Sequence, residues 1–472
     1  MSKSDNKQYD VIIIGAGLSG LVCGCYLAKA GMKVLVAEQH YKPGGYCTSF
    51  KRQGFIFSAA AHFLGGIKNG NLGKIFDDHN IDKIVKIKKY DPSNIIITPK
   101  YRVSFGDDLE KTIKEFQDNF PDESDNIKSF FSYLMSSDPK STITMRTWTF
   151  KDLLDKYFTN NELKSILGFP LLGNAALPPS LTSAFIGTKI FKEFILDGGY
   201  YPVGGIHKLP EAFAERFCEY GGELRLSCPV RKITVKNNIA TGIYLRDGTF
   251  LSAKYIVSNC DARQTFLKLL GKKLIGKDFA DKLSTMIPSL SGFILYLGTD
   301  EHLDKLPETG VNIWVVSNDG LDLDEVFLSV KKGDYRNIAG YLLYISPDKK
   351  VILAFLPAPF KDKNYWIHNK FKLGESLMRR IEKDVIPDLT KHIKYKDAAT
   401  PQTLFRYTGN YKGAAFGWAC FPSQLAITDF RKPSFVRNLY MTGHWTTKGF
   451  GIPGVIYVGE DTAKMILRKE KA

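Results

Sequence analysis

No two of the seven cysteines in this 472-residue chain are spaced as CxxC, and none follows a disulfide-framework pattern. Cys23 and Cys25 fall on one predicted helix but point about 200° apart around it, which makes a ligand pair improbable. Reduced thiols in a cytoplasmic setting are the expectation. The eight histidines are scattered, with no HExxH, so no metal centre is expected. There is no low-complexity tract, no short internal repeat, and no helix-turn-helix, RNA-recognition or zinc module, which argues against a nucleic-acid partner. The polar start Met1–Lys7 does not fit a secretory signal. Long uninterrupted apolar runs are missing too. The most apolar stretch, Leu167 to Phe185, contains Pro170, Pro178 and Pro179, which are expected to break a spanning helix.

What the chain does have is a net charge of +16. Lysines cluster at Lys86–Lys89, Lys331-Lys332, Lys349-Lys350 and in the tail Arg468-Lys469-Glu470-Lys471. Two readings stand level. One is a solvated basic surface; the other is attraction to anionic lipid headgroups, worth about 1 kcal/mol per lysine near the membrane.

The strongest signal lies near the N-terminus. An apolar run, Tyr9–Ile14, enters Gly15-Ala16-Gly17-Leu18-Ser19-Gly20, followed by a helical pattern to Ala30, a stop at Gly31, a second apolar run Lys33–Ala37 and Glu38. Gly15 permits the tight turn, Gly17 lets backbone approach a pyrophosphate, and Gly20 lets the helix pack on the sheet. The helix N-terminus offers N–H groups to phosphates, and Glu38 is placed to accept from a ribose. The order is that of a dinucleotide site.

Beyond it, Gly44-Gly45 allow a second close backbone approach, and Phe55–Phe57 leads into the small residues Ala59–Ala61. Residues 107–193 read as helical, with Leu109–Phe120, Ile127–Leu134 and Trp148–Phe158 as segments. This lobe either lines a greasy cavity, dips into a membrane face, or is an ordinary buried subdomain. Strands are predicted at Leu224–Cys228, Val230–Val235, Ile239–Leu245, Phe250–Ser258, Gly292–Leu297, Asn312–Val316, Ala339–Ile345 and Lys350–Leu356, with a helix at Glu375–Asp384. A second strand–glycine loop–helix unit closes the chain: Ser434–Thr442, Gly443 to Val455, then Ile456–Leu467. It does not match GxGxxG, so no second dinucleotide domain is expected.

Four anchors carry a resemblance to the phytoene desaturase, carotenoid isomerase and retinol saturase group of FAD-dependent oxidoreductases, within the amine-oxidase-like flavoproteins. They are the N-terminal glycine motif with Glu38 and Gly44-Gly45; Tyr201-Pro202-Val203-Gly204-Gly205; Val257-Ser258-Asn259-Cys260-Asp261; and Gly451-Ile452-Pro453-Gly454-Val455. The resemblance implies an α/β fold: a Rossmann-like FAD-binding domain from residues 1–100, 201–270 and 421–472, a helical substrate or membrane lobe from 101–200, and a substrate domain from 271–420. It implies FAD contacts from Gly15, Ala16, Gly17, Leu18, Ser19 and Gly20, from Glu38 and Gln39, and from Gly44, Gly45 and Tyr46. Val230 is implied at the adenine, and Ala61, His62, Gly443, Gly451, Ile452 and Val455 around the ribityl and ring end.

His62 and His444 are the candidate catalytic side chains; Arg406, Tyr407, Tyr411 and Trp418 are the candidate substrate contacts. Tyr46 replaces the arginine of the usual Gly-Gly-Arg, Ser58 an acid, and His444 a small or acidic residue. The implied substrate is a long apolar polyprenoid, carotenoid or other lipid, taken up by an enzyme peripherally attached to a membrane. Desaturation, saturation and isomerisation all fit. A quinone, oxygen or a partner would accept electrons, and homo-oligomerisation is left open. Two other readings are carried forward: an amine-oxidase-like enzyme on a smaller substrate, and a flavin-containing lipid carrier.

Overall fold

The first strand, Ser4–Ile14, ends in Val11–Ile14, apolar and buried on both faces, as inside a parallel sheet. It pairs in parallel with Val34–Ala37 on one side and Phe250–Ser258 on the other. That sheet runs in the order Val230–Lys236, Ile239–Leu245, Phe250–Ser258, Ser4–Ile14, Val34–Ala37, Glu223–Arg225, with Leu439–Met441 added in parallel beside the end of Phe250–Ser258. The computed structural model describes residues 4–136, 145–300, 303, 306–318, 320–425, 430–447 and 449–471; Met1–Lys3 of the polar start and Lys448 of the C-terminal glycine loop lie outside them.

Helix Leu18–Lys29 follows the first strand directly, and Gly31 ends it at φ +86°. It packs against Lys208–Glu219 on one side and the terminal helix Gly451–Lys471 on the other. At Gly459 the terminal helix comes so close that a Cβ would sit 2.5 Å from the carbonyl oxygen of Ser19. First strand, glycine helix and C-terminal helix thus form one unit.

A second sheet runs Ile393–Ala399, Ser291–Thr299, Val351–Ala358, Gly340–Ile345, Asn312–Val316, Asn94–Ile97, Arg102–Phe105. It is antiparallel except where Asn94–Ile97 pairs in parallel with Asn312–Val316. The first 105 residues therefore contribute to both sheets.

The described residues between 109 and 196 are mainly helical, around a core that includes Phe116, Phe130, Phe131, Phe150 and Phe191. Pro170 does not break its segment as the sequence suggested. Helix Asn161–Asn174 continues through it, and the run ends only before Pro178-Pro179. Among the described residues no helix is long and apolar enough to cross a membrane.

Candidate functional site

Each glycine of the N-terminal motif has a distinct job. Gly15 turns the chain at φ +101°, a conformation that side chains resist. A Cβ on Gly17 would lie 2.9 Å from the Asn259 amide nitrogen, and one on Gly20 would lie 2.3 Å from the Gly15 carbonyl oxygen. No side chain caps the helix that starts at Leu18, so its N-terminal dipole faces the open cleft. Gly44 donates its N–H to Ala16 O at 2.9 Å, which lays the second glycine pair along the first loop.

The C-terminal glycine loop arrives at the same place. A Cβ on Gly443 would lie 2.4 Å from Asn259 Oδ1, and Asn259 Nδ2 donates to Gly15 O at 3.3 Å. One amide thus touches both glycine loops. Glu38 accepts the Ala16 N–H at 2.7 Å and the His40 N–H at 2.8 Å, while its carboxylate borders the cleft. Each carboxylate oxygen keeps a further lone pair for a hydroxyl donor. Glycine cradle, open helix N-terminus and acidic residue together fit an FAD.

The cleft opens into a larger space. One cavity of about 1000 Å³ is lined both by Gly15, Glu38, Gly45 and Gly443 and by the apolar Phe169, Leu172, Ile186, Trp314 and Leu342. Ala61 and His62 line it as well. Trp314 is fixed by its indole N–H, which donates to Asn94 Oδ1 at 2.9 Å, and Gly173 leaves room for its ring.

Both candidate histidines border this cavity and are held neutral. Burial drives the His62 imidazole down to about 4 from its ordinary 6.5, and does the same to His444. His62 stacks on Phe355 at 4.3 Å, with Nδ1 3.1 Å from Ala60 O and Nε2 3.0 Å from Asn312 Oδ1. A neutral ring has one N–H, yet both its nitrogens face an oxygen, and Asn312 Nδ2 is left without a partner. The set closes when Nδ1–H donates to Ala60 and the Asn312 amide is turned to donate to Nε2. His62 is then fully engaged. His444 is held more loosely: its Nε2 is 3.3 Å from Asn410 Oδ1, which also accepts the Trp445 indole N–H at 2.8 Å.

Residues 18–467 match the model of the family described as flavin containing amine oxidoreductase. The chain belongs to that family. This flavoenzyme is 26% identical to the neurosporene-forming phytoene desaturase of Rhodobacter capsulatus, over 99% of this chain and 95% of that protein. It is 25% identical to the chloroplastic prolycopene isomerase of Daucus carota, over 96% of this chain and 79% of that protein. Among solved structures, an oxidoreductase from Methanosarcina mazei superposes with a TM-score of 0.68 at 17% identity, covering 97% of this chain and all of that one. The fold is the amine-oxidase-like FAD-binding fold, and the protein is an FAD-dependent oxidoreductase. A bound flavin supplies hydride exchange at N5.

Most residues expected at the flavoenzyme's cofactor border the cavity: Gly15, Gly17, Leu18, Ser19, Glu38, Gln39, Gly44, Gly45, Tyr46, Ala61, His62, Val230, Gly443, Gly451, Ile452 and Val455. Ala16 and Gly20 do not. Ala16 is buried behind the loop with its N–H on Glu38, and Gly20 is used for close packing. Of the expected substrate contacts, Arg406 and Tyr407 line the cavity, but Tyr411 and Trp418 do not. Trp418 is buried and donates its indole N–H to Trp445 O at 2.8 Å; the Arg263 guanidinium lies over both the Tyr411 and Trp418 rings. These two belong to the core under the loop.

Tyr46, in place of arginine, donates its hydroxyl to Ala414 O at 2.8 Å, and burial pushes it up to about 12. It clamps the second glycine loop to the Gly413–Gly417 turn. Asn259 and Asn312 were missed as site residues. Asn259 stood inside a quoted anchor, at the end of a strand facing two glycine loops, which was a usable signal. Asn312 lies 250 residues from His62, and no local pattern announces it.

Proposed function

We propose that this flavoenzyme moves hydrogen at carbon–carbon bonds of a long apolar polyprenoid or carotenoid-type substrate. One observation carries the reading: the glycine cleft runs without interruption into a chamber walled by Phe169, Leu172, Ile186, Trp314 and Leu342. Such walls suit a chain with no polar handles, and an apolar, water-excluding chamber favours hydride exchange over side reactions. The two relatives named above, a desaturase and an isomerase, support the same substrate class.

In this reading Gly15, Gly17 and the N-terminus at Leu18 hold the pyrophosphate, Glu38 the ribose, and Gly443 to Val455 the ring end. His62, neutral and fixed on three sides, orients the substrate chain beside the ring rather than shuttling a proton. His444, loosely held, is the better candidate for a mobile proton. The substrate reaches the enzyme from a bilayer at whose surface the protein sits, and a quinone or oxygen takes the electrons.

The test is anaerobic mixing of the purified yellow protein with polyenes in liposomes. Bleaching of the flavin on mixing is expected for desaturation, and turnover only after chemical pre-reduction for saturation or isomerisation. Absence of turnover in both flavin states, with peroxide formed from amines in air, would replace this reading with the amine-oxidase one. Lipid bound with no flavin bleaching under any condition would leave a carrier.

A further inference from the structure

Four chain segments carry cavity-lining residues that are exposed or half-exposed to solvent, and the cavity's opening is assigned to them. They are the loop at His40–Lys42, the helix Leu323–Lys332, the start of helix Lys363–Asp384, and the helix Pro401–Thr408. Tyr41, Glu325, Lys370 and Tyr407 each line the cavity from one of these segments. The segments are fastened to one another. Tyr365 donates its hydroxyl to Gly333 O at 2.8 Å, Gln402 Nε2 donates to Lys361 O at 2.7 Å, Phe405 meets Phe360 edge-on at 5.7 Å, and His40 meets Tyr407 at 6.2 Å.

Every one of these segments turns a large apolar side chain outward. Tyr41, Leu328, Ile367, Phe371, Phe405 and Tyr407 all stand exposed, Phe371 at 71% and Ile367 at 58%. Ile367 and Phe371 are four residues apart, so they project from one side of their helix. Cations are interleaved with them: Lys370 over the Phe371 ring, Arg406 over Tyr407 and Lys42 over Tyr41. Rim carboxylates are present as well, and two are matched locally, Asp397 by Lys370 and Asp334 by Arg336. By contrast, residues 101–200 contribute no exposed large apolar side chain among the described residues.

We infer that this rim, and not the helical lobe, is the membrane-docking face, and that its occupant is a bilayer leaflet carrying anionic headgroups. The inference rests on the apolar-substrate reading above. Exposed phenyl, aliphatic and tyrosine side chains around a hole are costly in water and favourable at a headgroup boundary. Interleaved lysine and arginine match anionic lipid, and an insoluble chain then passes from leaflet to chamber without crossing water.

The experiment is flotation of the flavin-loaded protein with phosphatidylcholine vesicles, with and without 30 mol% (about a third, a typical anionic load) phosphatidylserine. The double variant Ile367→Ser, Phe371→Ser changes neither the cofactor cradle nor the chamber wall. Wild type is expected to float with the anionic vesicles. The double variant is expected to lose at least about tenfold in vesicle affinity while keeping its flavin absorbance and its turnover of detergent-dispersed polyene. Equal flotation of wild type and variant overturns the inference. So does a variant that merely shifts from dimer to monomer in light scattering, which would make the rim an interface between two copies. Loss of polyene turnover in wild type that still floats would instead strike the substrate reading, leaving the docking face standing.

Discussion

The buried hydroxyls of Ser19 and Thr442 hydrogen-bond at 2.6 Å across 423 residues of sequence. Ser19 is in the first turn of the glycine helix, and Thr442 follows the strand Leu439–Met441 and leads to Gly443. Their bond joins the two ends of the cofactor cleft. Thr442→Val keeps the shape but leaves Ser19 Oγ without its buried partner, at an expected cost of about 1–3 kcal/mol. The double variant Ser19→Ala, Thr442→Val should cost less than the sum of the single changes. Urea unfolding of the four proteins measures that coupling; additive effects would mean the bond contributes nothing.

Gly443 has no room for a methyl group, with Asn259 Oδ1 2.4 Å from where its Cβ would be and φ at +89°. Gly443→Ala should push Asn259 off Gly15 and loosen both loops at once. The expected result is a folded protein, with its far-UV signal intact, purified with less than about a tenth of the wild-type flavin, since 1.4 kcal/mol is already tenfold. Full flavin content in this variant would show that the loops do not depend on each other.

Glu38 takes two backbone N–H groups and borders the cleft. Glu38→Gln retains an acceptor but loses the charge that strengthens all its hydrogen bonds. FAD affinity, read by titration of the apo-protein, should fall by about tenfold or more, since charge-assisted bonds contribute about 1.5–3 kcal/mol. Unchanged affinity would remove Glu38 from the cofactor site.

His79 is wholly buried, edge-on to Tyr26 at 4.4 Å, and neither ring nitrogen has a partner. Burial, helped by Lys29, holds its imidazole at about 4. Because the folded value lies below the unfolded 6.5, the unfolded chain takes up the proton first as pH falls. Stability is therefore complete above about pH 6.5 and declines as pH drops towards 4. His79→Phe removes that proton and suits the surrounding Phe213 and Tyr220 rings. It should unfold at higher temperature at pH 7, and its Tm should fall less between pH 7 and pH 5 than that of the wild type. An equal fall would assign the acid sensitivity to other groups, His62 and His444 among them.

Much of this architecture can be read from local pattern. Ile239–Leu245, Phe250–Ser258 and Asn312–Val316 are found at the expected bounds, because each is a short run of β-branched and aromatic residues between turn formers. Helix Lys363–Asp384 begins twelve residues earlier than its apolar period suggested. Its first turns bury Trp366 but expose Ile367 and Phe371, so no single apolar stripe marks them, and Asp362 caps them by accepting the Tyr365 N–H at 2.8 Å. The terminal helix begins at Gly451, where Gly-Ile-Pro-Gly reads as loop; Pro453 is tolerated because the first helical N–H groups have no intrahelical partner to lose.

The cofactor cleft was legible because glycine spacing is itself the signal. That Tyr411 and Trp418 do not line the cavity has no local signal, because an aromatic residue in a turn looks the same whether it faces a cavity or a core. The rim around the opening was invisible in sequence, since Tyr41 and its neighbours lie hundreds of residues before the other three segments and no local pattern joins them.

Because Gly443, Gly451, Ile452 and Val455 line the cavity together with Gly15 and Glu38, the order of synthesis has a physical consequence. A ribosome has translated more than nine-tenths of these 472 residues before the cradle can shut. Until then the strand Phe250–Ser258 has a bare edge along Ile256–Ser258, the stretch that Leu439–Met441 later covers. Capture of the nucleotide is therefore among the last events in the birth of this protein, and the nascent chain must keep that edge from pairing with a neighbour in the meantime.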